Sequence, residues 1–282
     1  MSNAERTSRV VSAALPELVG LDLGSRTISY SEREVILYAL AVGTQADDIE
    51  HVYERNLRVL PTYALPLGLW VADAASAAGA FVPTEALHGA QSLVVHTALP
   101  TAGALEITGS VTAVRDTGRS ALIDVTAACE QFTAVYTIIL PGKGGFGGDR
   151  PARSDEAGPG EPVESTAATT TLRQQAALYR LTGDRHAIHI DPRAAAAAGF
   201  EAPILHGLCT LGMAVRELGS MVGAPPDSLR ELTARFVAPV VPGDTLRTTT
   251  KSWAQEGSTR VAFTTSVGGR PVLADGSALF EH

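Results

Sequence analysis

Residues 183–189 read Gly-Asp-Arg-His-Ala-Ile-His and follow neither a helical nor a strand period. Asp184, His186 and His189 therefore place one carboxylate and two imidazoles on a loop. An aspartate and a histidine together can bind and polarise a water molecule, one accepting a proton while the other donates. Seventeen residues on, His206-Gly207 lies at the head of an apolar stretch. The first turn of a helix there would offer free N–H groups and the positive end of a dipole, suited to a developing oxyanion.

Plainer readings stand beside this one. Asp184 can cap a turn, as aspartate often does. Asp184, His186 and His189 are also ordinary zinc ligands, but histidines three apart on a loop are not a zinc signature and no third cluster accompanies them. His206 reads as a structural histidine rather than a proton donor. No G-x-S-x-G is present, which disfavours a serine hydrolase.

Two short helices must position these groups. Asp191-Pro192 is an N-cap followed by proline at the first helical position. Residues 193–198 follow as an alanine-rich helix with Gly199 as its stop. From Ile204 to about Leu218 a second helix is apolar on nearly every side and is expected to be buried. Gly207 and Gly212 within it cost roughly 1 kcal/mol each relative to alanine, so close approach of another chain segment or a ligand is expected there.

Before them, 19–30 reads as a strand, and Ser31 with Glu34 as a capping box opening a helix to Gly43. Residues 45–53 form a polar turn or short helix. Residues 61–79 have the length of one buried helix. Strand-like runs follow at 87–99, 104–116, 120–130 and 132–140. Residues 141–164 are rich in Gly, Pro and charge and read as a linker. Five glycines in Gly142–Gly148 invite a phosphate-loop reading, but no helix opens after them and G-K-[ST] is missing. Residues 165–181 then read as a capped helix, and four more strand-like runs occupy 229–241, 245–254, 259–267 and 272–280. The second half thus repeats the order of the first. Leu37-Tyr38-Ala39-Leu40 aligns with Leu178-Tyr179-Arg180-Leu181. With one extra residue allowed in the first copy, Gly43 then aligns with Gly183, Thr44 with Asp184 and Ile49 with His189. Only the second copy carries the Asp/His pair. One helix wrapped by an antiparallel sheet, twice, is an α+β arrangement.

The chain has 282 residues and 45% hydrophobic content, enough for a substantial core. A net charge of -8 argues against nucleic acid as partner. The two cysteines, Cys129 and Cys209, lie in apolar surroundings and suit a reducing cytoplasm. No apolar run approaches a membrane span, and no signal peptide is recognisable at the N-terminus. Ser2-Asn3-Ala4 looks like an expression scar or native sequence, and the final residues are not a peroxisomal address.

The segment 179–209 closely resembles the motif of MaoC-like (R)-specific 2-enoyl-CoA hydratases, the hydratase 2 family. That pattern is Y-x-L-S-G-D-x-N-P-L-H-x-D-P, then A-G-F, then P-I-L-H-G-L-C. Tyr179, Leu181, Gly183, Asp184, His189, Asp191, Pro192, Ala198-Gly199-Phe200 and residues 203–209 match it. The family's H-G-x-Q appears as His88-Gly89-Ala90-Gln91, its D-K-G as Asp116-Thr117-Gly118, and its A-R-F-x-x-P-V-x-P-G-x-T-L at 234–246. The resemblance covers roughly residues 20–282 and implies a double hotdog fold. Residues 1–19 would be a lead-in, 20–140 a covering hotdog, 141–166 a linker and 167–282 the catalytic hotdog.

By the same resemblance Asp184 and His189 activate water and the Gly207 N–H stabilises the oxyanion. His88, Gly89, Thr117, Gly145, Phe146, Arg185, His186, Ala187, Ile188 and Phe236 would contact substrate, although His88 and Gln91 also read as a satisfied buried polar pair. Three positions depart from the pattern: His186 replaces Asn, Ala187 replaces Pro and Thr117 replaces the CoA-contacting Lys, with Arg115 and Arg119 close by. The expected activity is reversible syn hydration of trans-2-enoyl-CoA to the (R)-3-hydroxyacyl thioester, without metal or redox cofactor, by a homodimer. Alternatives are dehydration of a carrier-bound, bulky or polyketide-like acyl chain, a non-catalytic acyl-binding subunit and, less favoured, a hotdog thioesterase.

Overall fold

The computed structural model describes residues 14–148 and 160–282. The possible scar at 2–4, most of the lead-in and the middle of the expected linker lie outside the described residues.

The first half opens with a 3-10 turn at Leu15–Leu18 and strand β1 (Asp22–Tyr30). Helix α1 (Glu32–Ala41) begins at the expected capping box, with the Ser31 hydroxyl and N–H both donating to the Glu34 carboxylate. A single turn, α2 (Ile49–Val52), follows.

The one buried helix expected over 61–79 is instead broken into a 3-10 turn (Pro61–Tyr63), α3 (Ala64–Gly68) and α4 (Trp70–Ala77). The cause is a competing donor. Tyr136 Oη donates to the Leu65 carbonyl at 2.6 Å, the acceptor a continuous helix would give to the Leu69 N–H. That N–H falls back on Pro66 O at 3.4 Å. Gly68 is required at this contact, since a Cβ there would lie 2.7 Å from Tyr136 Oη.

Strands β2 (Leu87–Val95), β3 (Gly103–Asp116), β4 (Ser120–Ala128) and β5 (Phe132–Pro141) complete the half. The second half repeats it with β6 (Val163–Thr170), α5 (Gln175–Tyr179), α6 (Pro192–Ala197), α7 (Gly207–Val222), β7 (Leu229–Phe236), β8 (Thr245–Gln255), β9 (Ser258–Val267) and β10 (Arg270–Glu281). The expected helix over 165–181 is thus a strand followed by a five-residue helix, and the strand starts inside the expected linker. Its Ala/Ser/Thr composition carries no apolar alternation to mark it, because β6 is an edge strand paired with β8 alone.

The strands form one antiparallel sheet in the order β1-β3-β4-β5-β2-β7-β10-β9-β8-β6. Read outward from the β2·β7 seam, each half has the same order, which is the double hotdog arrangement. At the positions aligned with Asp184 and His189, the first half holds Thr44, buried, and Ile49, exposed.

Helix α7 is the buried helix of the second half, starting three residues later than expected and ending at Gly223 in the left-handed region (φ 68°). Its internal glycines are explained by contact. A Cβ on Gly212 would meet Val42 Cγ1 at 2.7 Å and Tyr38 Oη at 2.9 Å, while one on Gly207 would meet the Phe236 ring at 3.1 Å.

Candidate active site

The loop before α6 is fixed by its own polar groups. One Asp184 carboxylate oxygen accepts the His186 N–H at 3.1 Å, so the turn-capping reading holds for that oxygen. His186 Nδ1 accepts the Ile188 N–H at 3.4 Å, and the His186 side chain is exposed, as are Arg185 and Ala187. Asp191 caps α6 by accepting the Arg193 N–H at 2.8 Å.

His189 is buried, and its Nδ1 lies 2.8 Å from the Ile204 carbonyl. A carbonyl oxygen only accepts, so Nδ1 carries the proton and Nε2 presents a lone pair. The strut holding Ile204 is itself anchored: its N–H donates to Ile188 O, and the Leu205 N–H donates to Val240 O at 2.7 Å. Burial pushes the His189 pKa below 6.5, the Ile204 carbonyl and the Asp184 charge pull it back up, and His186 pushes it down again. The imidazole is therefore a neutral acceptor at neutral pH.

His206, 1% exposed, stacks on His189 with ring centroids 3.7 Å apart. Its Nε2 donates to the Asp184 backbone carbonyl at 3.1 Å, tying the loop to the start of α7. Burial, then the neighbouring His189, lower its pKa to about 4. The structural role expected for His206 is the one seen, although its packing against the pair is not visible in sequence. The Tyr179 ring packs beside it, tilted by 48° with centroids 4.9 Å apart.

Asp184, His189 and His206 offer ligand atoms within 4.8 Å of one another. The two imidazole planes are only 26° from parallel, so their in-plane lone pairs do not converge on a common ion. His189 Nδ1 and His206 Nε2 are already committed to carbonyls. The zinc alternative, which named His186 rather than His206, finds no support in this geometry.

Gly207 begins α7, and the first N–H groups of a helix have no partner within it. Phe236, at the end of β7, covers this turn. Across the β2·β7 seam, where Ala90 pairs with Arg235, the first half places His88 with its ring 4.7 Å from Phe236. The Asp184 charge is felt at His88, whose pKa burial lowers to about 4. His88, Gly207, Phe236, His189 and Asp184 thus form one region drawn from both halves. Gly89 is buried in β2, where a Cβ would meet Ile139 Cδ1 at 2.2 Å; its place reflects packing between strands.

The expected contacts at 115–119 and 145–146 lie on a separate built feature. The Asp116 carboxylate accepts the N–H groups of Gly118 (2.6 Å), Gly145 (3.0 Å) and Gly147 (2.6 Å). These hydrogen bonds, Gly145 foremost, hold its pKa below the usual carboxylate value. The glycine-rich loop is thus an anion-binding nest filled by the chain's own carboxylate, which is why it resembles a phosphate loop. Phe146 packs against the core from this loop. Thr117 is exposed and closes its own turn with Ser120. Arg115, one candidate to replace the missing lysine, is instead paired with Asp124 at 2.7 Å; Arg119 is exposed on the turn.

A surface concavity of about 470 Å³, lined by residues such as Ser31, Arg33 and Glu54, shares no residue with this region.

Fold and site together define a hotdog-fold protein of acid–base chemistry, and the chain belongs to the MaoC-like hydratase 2 family. Residues 155–269 match the MaoC like domain, and residues 28–136 match the MFE-2 hydratase 2 N-terminal domain. The chain is 35% identical to 3-hydroxyacyl-thioester dehydratase Y of Mycobacterium tuberculosis, over 93% of this chain and 97% of that protein. It is 36% identical to peroxisomal multifunctional enzyme type 2 of Mus musculus, over 93% of this chain but 38% of that enzyme. A solved MaoC-like dehydratase from Phytophthora capsici superposes with a TM-score of 0.82 at 27% identity, covering 96% of this chain and 98% of that one.

Proposed function

We propose that the chain is a hydro-lyase adding water across the double bond of trans-2-enoyl-CoA to give (R)-3-hydroxyacyl-CoA, and catalysing the reverse. The observation that carries the reading is the forced tautomer of His189: with Nδ1–H given to Ile204 O, Nε2 keeps its lone pair, and the ring lies with a nitrogen within 4.8 Å of an Asp184 carboxylate oxygen. Water held between Asp184 and His189 adds its oxygen to C3 while its proton passes to His189 Nε2. The double-bond electrons move to C2 and the thioester carbonyl, whose oxygen is stabilised by the Gly207 N–H. The proton then returns to C2 from the same face, so one water is added overall and none of its atoms is lost. Neither metal nor redox cofactor has a step in this scheme.

The test is the absorbance of the conjugated thioester on mixing purified protein with short and medium trans-2-enoyl-CoA, with product stereochemistry identified. Loss of absorbance and an (R)-3-hydroxyacyl product are expected. Asp184→Asn is expected to lower turnover by roughly 100-fold or more. No absorbance loss from folded protein overturns the reading.

Thr117 at the lysine position, with Arg115 held by Asp124, favours a second reading in which the acyl chain arrives on a carrier protein. Comparing CoA and carrier-bound forms of one acyl chain decides between them. We further assign a homodimer in a reducing cytoplasm, in keeping with two unpaired cysteines. No helix among the described residues is long and apolar enough to cross a membrane.

A further inference from the structure

The carbonyl oxygen of Ala41, the last residue of α1, is reached from the other half of the chain. The last carbonyls of a helix have no N–H partner within it. In a continued helix the Gln45 N–H would take Ala41 O, but it donates to Asp48 Oδ2 at 3.1 Å instead. Two second-half side chains fill the place. Gln175 Nε2, on α5, donates to Ala41 O at 2.6 Å, and the Cys209 thiol, on α7, donates to the same oxygen at 3.3 Å. Gln175 is 1% exposed, and Ala41 and Cys209 are fully buried. The Gln175 amide has one possible orientation: Oε1 accepts the Leu172 N–H at 3.0 Å, so only the NH2 end can face a carbonyl. Burial pushes the Cys209 pKa well up, so the sulfur keeps the proton it donates.

Both donors lead directly to the site. Helix α5 runs into the turn before Asp184, where the Thr182 hydroxyl donates back to Tyr179 O at 2.8 Å. Cys209 stands two residues after Gly207, in the first turn of α7. One oxygen thus joins the two arms of the site, the Asp184–His189 loop and the helix start at Gly207. The His206–Asp184 link joins the same arms from within the second half. The shared oxygen is itself firmly seated. Val42, beside Ala41, packs on α7 at Gly212, where a Cβ would lie 2.7 Å from Val42 Cγ1. A helix C-terminus also carries partial negative charge, which strengthens the carbonyl as an acceptor.

We propose that Gln175, together with Cys209, is a positioning residue: through the Ala41 carbonyl it sets the Asp184–His189 loop against the Gly207 N–H. Neither side chain touches substrate. The inference rests on the hydro-lyase reading above and deepens it by naming what the first half contributes to the placement of the reacting groups.

The test is kinetic. Gln175→Met keeps the length of the side chain and removes its donor. A displacement of about 1 Å in a reacting group costs on the order of a hundredfold in rate, so a loosened tie is expected to cost roughly tenfold in kcat. The loss falls on interactions made in the transition state, so kcat and kcat/KM are expected to drop by the same factor with KM unchanged. Cys209→Ala is expected to lower kcat in the same way by a smaller factor, and it decides the matter if Gln175→Met does not fold. Ile107→Ala, at a buried residue of β3 outside both arms, is the control for general loosening. It is expected to lower Tm and keep the wild-type kcat. Amide exchange supplies a readout without substrate. The His189 and Thr210 N–H groups, one in each arm, donate to His186 O and His206 O. Both are expected to exchange roughly tenfold faster in Gln175→Met, but not in Ile107→Ala.

Wild-type kcat in folded Gln175→Met, or in Cys209→Ala where the first variant does not fold, overturns the positioning role and leaves the reaction standing. So does an equal loss of kcat in Ile107→Ala. Faster exchange in both arms, with no turnover of enoyl-CoA by the wild type, keeps the tie and overturns only the reaction. Unchanged exchange with no turnover overturns both.

Discussion

His88 gives a prediction whose size follows from where its ring sits. The imidazole is wedged between Phe236 and Tyr136, with centroids 4.7 and 5.9 Å away, and its Nε2 is buried even though the residue keeps some accessible edge. Burial lowers its pKa from 6.5 to about 4. Above 6.5 both folded and unfolded chains hold it neutral, and it adds nothing to the pH dependence of stability. Below 6.5 the unfolded chain takes up a proton that the folded chain refuses, so stability falls as pH drops, until the folded state also protonates near 4. Between about pH 7.5 and about pH 5 this single group costs about 2 kcal/mol of folding stability. His88→Phe removes that cost. Urea unfolding of wild type and variant at both pH values therefore should show their difference moving by about 2 kcal/mol in favour of the variant at the acid end. Comparing the two proteins cancels the other titrating groups, including His189 and His206. Parallel pH curves would refute the reasoning, since they would mean that His88 protonates within the fold as it does in water.

Three further outcomes are expected. Because the His189 pKa lies below 6.5, kcat/KM for hydration should stay level from neutral pH down to 6.5 and fall only below it as Nε2 protonates; an acid limb centred above 6.5 in a pH–rate profile would contradict the buried neutral imidazole. Gly212→Ala places a methyl 2.7 Å from Val42 Cγ1 and should cost roughly 1–3 kcal/mol in a denaturant titration, as overpacked cores do. Asp116→Ala leaves the Gly145 and Gly147 N–H groups without their acceptor, so their amide hydrogens should exchange much faster while those of β4 do not.

Local punctuation was the part of the fold that could be read directly. The Ser31–Glu34 capping box, the Asp191 cap and the left-handed Gly199 all act within a few residues, so sequence proximity carries them. The buried character of α7 and the close contacts at Gly207 and Gly212 were equally legible, because an all-round apolar helix containing glycines has few other uses. What escaped depends on partners far away in the chain. The break at Leu69 is caused by Tyr136, sixty-seven residues on in sequence. Strand β6 is an edge strand of small polar residues whose only cue is its pairing with β8. At the site, Asp184, His186 and His189 were marked as a carboxylate and two imidazoles on one loop, and the resemblance to the hydratase 2 motif singled out Asp184 and His189. The stacking of His206 on His189 and the approach of His88 to Phe236 required the fold. Arg115 illustrates the opposite error: it is near Thr117 in sequence, but Asp124 on the paired strand takes its guanidinium.

The two halves share a topology but have divided its uses. In the second half the Leu205 strut, the His206–Asp184 link and unbroken α7 hold a polar loop rigidly against a helix start. In the first half the corresponding helix is interrupted at Leu69, and the aligned loop positions carry buried Thr44 and exposed Ile49. Neither of those two positions carries a titratable group, so the first half has no counterpart of the Asp/His pair. The first half still reaches that region through β2, the strand that pairs with β7 at the seam. Because β7 ends at Phe236 and Phe236 covers Gly207, a residue on β2 such as His88 meets the same region as the Asp/His pair without belonging to its repeat. A change in the seam register by one residue would turn His88 away from Phe236 and leave Asp184 and His189 untouched, so the seam sets whether the region is built from one half or two.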